Sequence, residues 1–458
     1  MKDLDYNTDE CIATLATGWE ESAIAVIRTS GSGSITLASK VFSAPKKLLQ
    51  AEGNTIVYGY IIDPDSGDRV DEVLIAVFKA PKSYTGEDSV EIFGHGGIPA
   101  VSGILTALKK AGFRDAAPGE FTMRAFINGK LDLTRAEAVH EIVTAKTKRA
   151  HSLAINRLSG ALENRIDTIK TSILNILSKV ELLLDYPDDE LDGQISEYPL
   201  TSEEIKSTII EVDKLAESFK TGKVFREGVP VALAGKTNAG KSSLFNMLLK
   251  EDRAIVSEIH GTTRDYIESW ITVGGIPLRL FDTAGLRDSE NPVEAEGIKR
   301  SGEVISGAGI VLYLVDSTEG LTDDDLRNIA SFSSNEKLVK IWSKSDSDKS
   351  RELPEGFIAV SSVTGEGFSL MEKALSEAAL GQKGIGDSVV VDSLRQHELL
   401  VRASEALNAS LGAAVNYEPI DAVAMELKDA LDALGEITGE VSSADILDNI
   451  FSNFCLGK

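Results

Sequence analysis

Cysteine is nearly absent: the 458 residues hold two, Cys11 and Cys455, near opposite ends of the chain. With no CxxC pair and no Cys/His metal spacing, neither a disulfide framework nor a zinc site is expected, and a reducing cytosol is the simplest compartment. Long apolar runs are missing too. No stretch reaches the roughly 18 apolar residues of a membrane span, and the opening MKDLDYNTDE carries no apolar core of an export signal, so neither spanning nor secretion is expected. Positive charge is in short supply, with Lys and Arg at 47 against 72 for Asp and Glu and a net charge of −25. Such a chain attracts phosphate backbones poorly, and any nucleic-acid contact needs a local basic patch or a partner. What is present is ordinary globular material, 42% hydrophobic and 26% charged. The length suits two to four domains.

Texture changes along the chain. From Cys11 to about Ala80, β-rich runs (SAIAVIRTS, NTIVYGYIID, DEVLIAVFKA) alternate with helix-like stretches, which predicts an α+β domain. After Pro118-Gly119 the pattern turns helical, and Leu162, Ile166, Ile169, Ile173, Ile176, Val180 and Leu183 mark one face of a long amphipathic helix. An acidic stop follows at Asp185 to Glu190, then a second amphipathic stretch, Ser202 to Ser218, leading to a break at Thr221-Gly222. From Val229 the apolar runs VPVALAG, IESWITV, LRLFD, GIVLYLVD, LVKIW and GFIAV alternate with helical or loop segments, predicting a doubly wound sheet. Long helices return over Ser393 to Asn416 and Ile420 to Ile437. An α/β domain inserted into a helical one is the economical reading.

The strongest motif is Gly235-Lys-Thr-Asn-Ala-Gly240-Lys241-Ser242, a GxxxxGKS loop between a predicted strand and a predicted helix. Its glycines let backbone N–H groups turn toward phosphates, the helix start adds positive potential, Lys241 reaches the terminal phosphates, and Ser242 can ligate magnesium. Further elements follow in the order a GTPase needs. Gly261-Thr262-Thr263-Arg264-Asp265 supplies switch hydroxyls, and Asp282-Thr283-Ala284-Gly285 ends a strand where its carboxylate can hold magnesium through water. Ser343-Lys344-Ser345-Asp346 ends LVKIW, with Asp346 able to accept two hydrogen bonds from guanine; Ser361-Ser362-Val363 ends the next strand, where a backbone N–H can reach the base oxygen.

With these in place the chain resembles, end to end, the tRNA-modification GTPase family known as MnmE or TrmE. Beyond the loop, the likeness lies in Ile27-Arg28 with Ser30-Gly31, Tyr84-Thr85-Gly86-Glu87-Asp88, Gly94-His95-Gly96-Gly97, Pro118-Gly119-Glu120-Phe121 and Arg124 to Leu133 (RAFINGKLDL), and the terminal Phe451 to Lys458 (FSNFCLGK). The resemblance implies a P-loop GTPase domain, a doubly wound sheet, inserted into an all-helical domain and preceded by an α+β folate-binding domain. The fold class is then multidomain α/β and α+β. The expected limits are 1–128 for the N-terminal folate-binding and dimerisation domain, 129–222 and 385–458 for the helical domain, and 223–384 for the GTPase domain.

The same resemblance implies site roles. GTP contacts fall on Asn238, Ala239, Gly240, Lys241, Ser242 and Ser243, on Ser257, Glu258, Ile259, His260, Gly261, Thr262 and Thr263, on Asp282 to Gly285, and on the base elements above. Potassium would lie on Asn238, Ser257, Ile259 and Thr262, doing the work of an arginine finger, with magnesium on Ser242 and Thr263. Leu286 follows DTAG where a water-orienting Gln is usual; Glu294 is the family's catalytic candidate, with Glu290 and Glu296 as competitors. Arg28, Glu91, Lys130 and Lys458 would bind a tetrahydrofolate derivative, 5-formyl or 5,10-methylene. The family acts as a homodimer with a flavoprotein partner, MnmG, on the wobble uridine of tRNA, with no membrane involved.

Some positions depart from the family or stay open. Ser343 replaces the Asn of NKxD, and its short hydroxyl cannot serve base and phosphate loop together, which implies weaker guanine binding. Ser362-Val363 stands where Ala-Lys is common, and Gly18-Trp19-Glu20-Glu21-Ser22 replaces a glycine-rich run beside the folate pocket. His95 is either a turn histidine held by backbone or a catalytic base; Cys455 is either a small buried residue or a nucleophile. Lys146, Lys148, Arg149, His151 and Arg157 form the best local basic surface for tRNA. Two rival functions are a ribosome-assembly RNA-binding GTPase, for which no KH-like GXXG or basic tail speaks, and a folate enzyme with a regulatory nucleotide site.

Overall fold

The computed structural model describes residues 9–185, 198–250, 254–255, 268–281, 309–332, 337–347, 351–380, 389–441 and 444–458. The chain divides into two compact units: Met1–Val143, Ala154–Val212 and Leu399–Lys458 in one, Thr144–Leu153 and Asp213–Glu398 in the other.

The first unit opens with a six-stranded sheet of β1 (Ile12–Leu15), β2 (Ser22–Ser30), β3 (Thr55–Ile62), β4 (Arg69–Phe78), β5 (Ser89–Gly96) and β6 (Arg114–Asp115). Their order is β3-β4-β5-β2-β1-β6, antiparallel throughout except for β1 with β6. Strand alternation makes one face apolar: Ile27, Ile75 and Ile92 are wholly buried, together with Ile104 and Leu108 of helix α1 (Ile98–Ala111). Residues of opposite parity, Arg28 and Glu91 among them, stand on the other face, paired across β2 and β5.

Helices complete this unit. Helix α2 (Glu120–Ile127) and α3 (Leu133–Thr144) pack with a C-terminal helix (Ala444–Ser452) through Met123, Leu133, Val139, Leu447, Phe451 and Phe454. The long helix Ala161–Asp185 forms as its periodicity predicts, with Leu162, Ile166, Ile169, Ile173, Ile176 and Val180 all buried. It lies antiparallel to helix Ile420–Thr438, since Lys170 pairs with Glu440 at one end and Glu181 with Lys428 at the other.

The second unit is built on a seven-stranded sheet. Strands β7 (Val229–Gly235), β8 (Ala254–Ile255), β9 (Glu268–Val273), β10 (Ile276–Phe281), β11 (Ile310–Asp316), β12 (Lys337–Ser343) and β13 (Phe357–Val360) take the order β13-β12-β11-β7-β10-β9-β8. From β13 to β10 every pairing is parallel, and β9 and β8 add on antiparallel. Every residue of β11 is buried, as a strand covered on both faces requires. The break expected at Thr221-Gly222 is not there: helix Phe219–Glu227 runs through both residues. Gly222 serves packing instead, because a Cβ on it would fall 2.0 Å from the carbonyl oxygen of Val391.

Candidate functional site

The phosphate loop leaves the central strand β7 and enters the helix Lys241–Lys250. Three left-handed residues shape it, Gly235 at φ 135°, Asn238 at φ 66° and Gly240 at φ 88°. At Gly235 nothing larger fits, because a Cβ would lie 2.3 Å from the carbonyl oxygen of Leu314. Asn is among the few side chains that tolerate such a φ, so Asn238 keeps an exposed amide at the bend while Ala239 beside it is buried. Lys241 folds back over the loop, its Nζ donating to the carbonyls of Gly235 at 2.8 Å and Lys236 at 2.6 Å. Ser242 and Ser243 are exposed on the first helical turn, where unpaired N–H groups favour an anion.

Lys236 adds a brace that the motif alone does not reveal. Its Nζ donates to Thr322 Oγ1 at 2.6 Å and lies 3.4 Å from Asp325 Oδ2. Thr322 and Asp325 form the capping box of helix Asp323–Ser331, and Asp325 also accepts from the Tyr313 hydroxyl at 3.0 Å. Burial pushes the Asp325 carboxyl up, but the bonds from Thr322, Tyr313 and Lys236 outweigh it and hold the group below its ordinary range. Burial pushes the Tyr313 phenol up to about 12.

The base-side element ends β12 next to the loop. Ser343, buried, lies 2.7 Å from the carbonyl oxygen of Ala239 and 3.0 Å from that of Val315. Lys344, at φ 55°, pairs through Nζ with Asp316 Oδ2 at 2.6 Å, and its carbonyl accepts from Ser317 Oγ at 2.8 Å. Burial raises Asp316, but Lys344 and Thr318 more than offset it and the carboxyl lies below its usual value. Asp346 follows, half-buried. Ser361 accepts from the N–H groups of Val363 at 3.2 Å and Thr364 at 3.1 Å, fixing the turn in which Ser362 and the exposed Val363 sit. The phosphate loop, Ser343 to Asp346 and Ser361 to Val363 thus end β7, β12 and β13 in the parallel part of one sheet. Ser257, Glu258, Ile259, His260, Gly261, Thr262 and Thr263, Asp282 to Gly285, Glu290, Glu294 and Glu296 lie outside the described residues.

A second constellation sits on the N-terminal sheet. Arg28 donates from Nε to Glu91 Oε1 at 2.8 Å and from Nη1 to the carbonyl oxygen of Gly457 at 2.9 Å. Its guanidinium lies over two rings, 5.5 Å from the centre of Tyr84 and 5.8 Å from that of Phe121. The Tyr84 hydroxyl is 2.9 Å from Thr122 Oγ1. Burial raises the Tyr84 phenol, against the opposing pull of Thr122 and Arg28. Lys130 donates to the carbonyl of Pro81 at 3.0 Å and packs over Gly86, on the segment that carries Tyr84.

The chain's far end reaches Arg28 for packing reasons. Gly119, at φ 70°, leaves room only for the backbone of Phe451, 2.4 Å from where a Cβ would lie, and Gly457, at φ 88°, lies against Ala16 in the same way. Lys458 directly follows Gly457, the residue whose carbonyl Arg28 holds.

Beneath this runs an ion network centred on the buried Arg124 and Glu120, motif residues for which the sequence suggests no role. Arg124, 1% exposed, bonds Glu120 Oε1 at 2.9 Å, Glu87 Oε2 at 3.0 Å and the carbonyl of Glu10 at 2.8 Å. Arg114 closes on Glu120 at 2.6 Å, and Ser30 donates to Glu87 at 2.7 Å. Burial pushes the Glu120 carboxyl up, yet Arg114, the Ala117 N–H and Arg124 outweigh it and the group lies below its usual range.

Three side chains differ from expectation. His95 is on strand β5, exposed, with Nδ1 2.7 Å from Asp71 Oδ1; a carboxylate holds it, not turn backbone. Cys455 is exposed, since the tail's packing runs through Phe454 and Gly457. Arg157 is buried against Glu141 at 2.5 Å, so it does not belong to the basic surface of Lys146, Lys148, Arg149 and His151.

A glycine-rich loop from a central parallel strand into a helix, with a Lys-x-Asp base element two strands along the same sheet, defines the class: a P-loop GTPase. The comparisons give the family. The family model for the N-terminus of the GTP-binding protein TrmE matches residues 11–130, and that for the MnmE helical domain matches residues 133–455. The tRNA modification GTPase MnmE of Borreliella burgdorferi (strain ZS7) is 44% identical over 99% of both chains. The proteins of that name from Treponema denticola, at 43% over 99% of both, and Carboxydothermus hydrogenoformans, at 40% over 98% of this chain and 100% of that one, are similar throughout as well. Among solved structures, the G domain of the T. maritima FeoB iron transporter is 28% identical over 33% of this chain and 98% of that one, at a TM-score of 0.26. The chain belongs to the MnmE family of tRNA modification GTPases.

Proposed function

We propose that this chain is a potassium-activated GTPase that modifies carbon 5 of the wobble uridine of tRNA, as a homodimer working with a flavoprotein partner, MnmG. A tetrahydrofolate carbon, 5-formyl or 5,10-methylene, is built into the aminomethyl or carboxymethylaminomethyl group. The observation that carries the reading is the loop 235–242 with Lys241 and an exposed Ser242 at a helix start, beside Asp346 on the same sheet. Lys241 moves from the carbonyls of Gly235 and Lys236 to the terminal phosphates, and Asp346 accepts from the paired N–H donors of guanine. Glu294 orients the attacking water.

Ser242, with Thr263, suits magnesium, and Asn238, whose exposed amide oxygen is a hard donor at the bend of the loop, suits potassium together with Ser257, Ile259 and Thr262. When bound, these cations neutralise charge on the phosphoryl oxygens. Arg28, Glu91, Lys130 and Lys458 suit a folate: cations for its glutamate tail, and a carboxylate for the pterin donors. The working domain limits are those of the sequence, 128, 222 and 384.

GTP turnover in potassium against sodium at equal ionic strength tests the nucleotide half. The control is Asn238→Gly, since glycine keeps the left-handed bend that alanine would strain. Potassium should stimulate the wild type and lose its effect in the variant; equal rates in both salts contradict the assignment.

A further inference from the structure

Guanine presents two acceptors, N7 and O6, on its major-groove edge. An asparagine beside that edge has donors for the base and an acceptor left over; a serine hydroxyl has a single proton. At Ser343 that proton has two claimants, the carbonyl oxygens of Ala239 at 2.7 Å and Val315 at 3.0 Å. Only lone pairs remain on Oγ, and a lone pair gains nothing from N7. The side chain is 5% exposed, and both Cβ and Oγ lie 3.7 Å from where a Cβ on Gly240 would be, so it is packed onto the phosphate loop.

We propose that Ser343 braces the phosphate loop and leaves guanine N7 unread, so that side-chain selection of the base rests on Asp346. Half of the asparagine's work survives the replacement: the tie from β12 to the loop and to the end of β11. The other half, a donor to the imidazole edge of the base, is gone. Guanine is then distinguished by its N1–H and 2-amino group, which face a carboxylate.

The test is displacement of a fluorescent GDP from the full chain by GDP, by 7-deaza-GDP, which lacks the N7 acceptor, and by IDP, which lacks the 2-amino group. Wild type should bind GDP and 7-deaza-GDP within about twofold of each other and IDP more weakly. In Ser343→Asn, GDP should gain about fivefold over 7-deaza-GDP, the size of one neutral hydrogen bond. In Ser343→Ala all three nucleotides should weaken alike, because the brace is lost. A wild type that binds 7-deaza-GDP fivefold or more weakly than GDP overturns the proposal. Ser343→Ala with unchanged affinities overturns the brace, and equal binding of IDP and GDP removes the role given to Asp346.

Discussion

The nucleotide loop takes its geometry from consecutive residues, 235 to 242, whereas the Arg28 constellation draws on positions 28, 84, 91, 121 and 457. The first is set by backbone: left-handed residues at 235, 238 and 240 and the start of a helix. The second is set by groups that converge from a sheet, a helix and the end of the chain, over an ion network centred on the buried Arg124 and Glu120. The contrast separates a site that a short motif can encode from one that exists only after long-range folding.

The largest effect should come from breaking the side-chain side of the comparison. Arg124→Met leaves Glu87 and Glu120 each short of a partner in a buried setting, and removing one member of such a network costs about 3–5 kcal/mol. Denaturant unfolding should show a loss of that order for the N-terminal unit. Gly235→Ala attacks the other side. It forces a Cβ to within 2.3 Å of the carbonyl oxygen of Leu314 at φ 135°, a strain of about 1–3 kcal/mol before the clash is relieved. GDP affinity should fall sharply with the N-terminal unit's unfolding unchanged. A smaller effect is expected at His95, whose ring is raised above its usual value by the hydrogen bond and charge of Asp71. A raised folded-state value stabilises below the ordinary histidine range, and the contribution fades as pH rises through the folded value. Wild type should lose a little stability as pH rises from about 6.5 through the raised folded-state value, and Asp71→Asn should flatten that slope; an identical slope in the variant contradicts the pairing.

The same contrast explains what could be read from sequence. All six strands expected in the α/β unit form, and β11, the most continuous apolar run of them, is buried at every residue. Strand β5 goes unassigned by pattern, since Gly94 and Gly96 interrupt SVEIFGHG as a turn would. Yet a Cβ at 94 would meet Asp71 Oδ2 at 2.6 Å and one at 96 would meet Ser22, so these glycines admit close neighbours within the sheet. Gly222 misleads in the same way inside a helix. Ser343 was legible as a departure from NKxD; its two carbonyl partners were not, because Ala239 and Val315 are far away in sequence. Arg28 and Glu91 could be named only through family resemblance, as no local pattern joins them to Gly457. Tyr84 and Phe121 stand in quoted motifs, but nothing in the sequence says that their rings lie against Arg28.

The most direct test of this account is a pair of titrations, GDP and 5-formyltetrahydrofolate, into wild type and Arg28→Met. Both ligands should bind the wild type, and the variant should lose the folate while keeping GDP affinity within about twofold. Folate binding that survives the loss of Arg28, or GDP binding that falls with it, would contradict the account of two sites built by separate means.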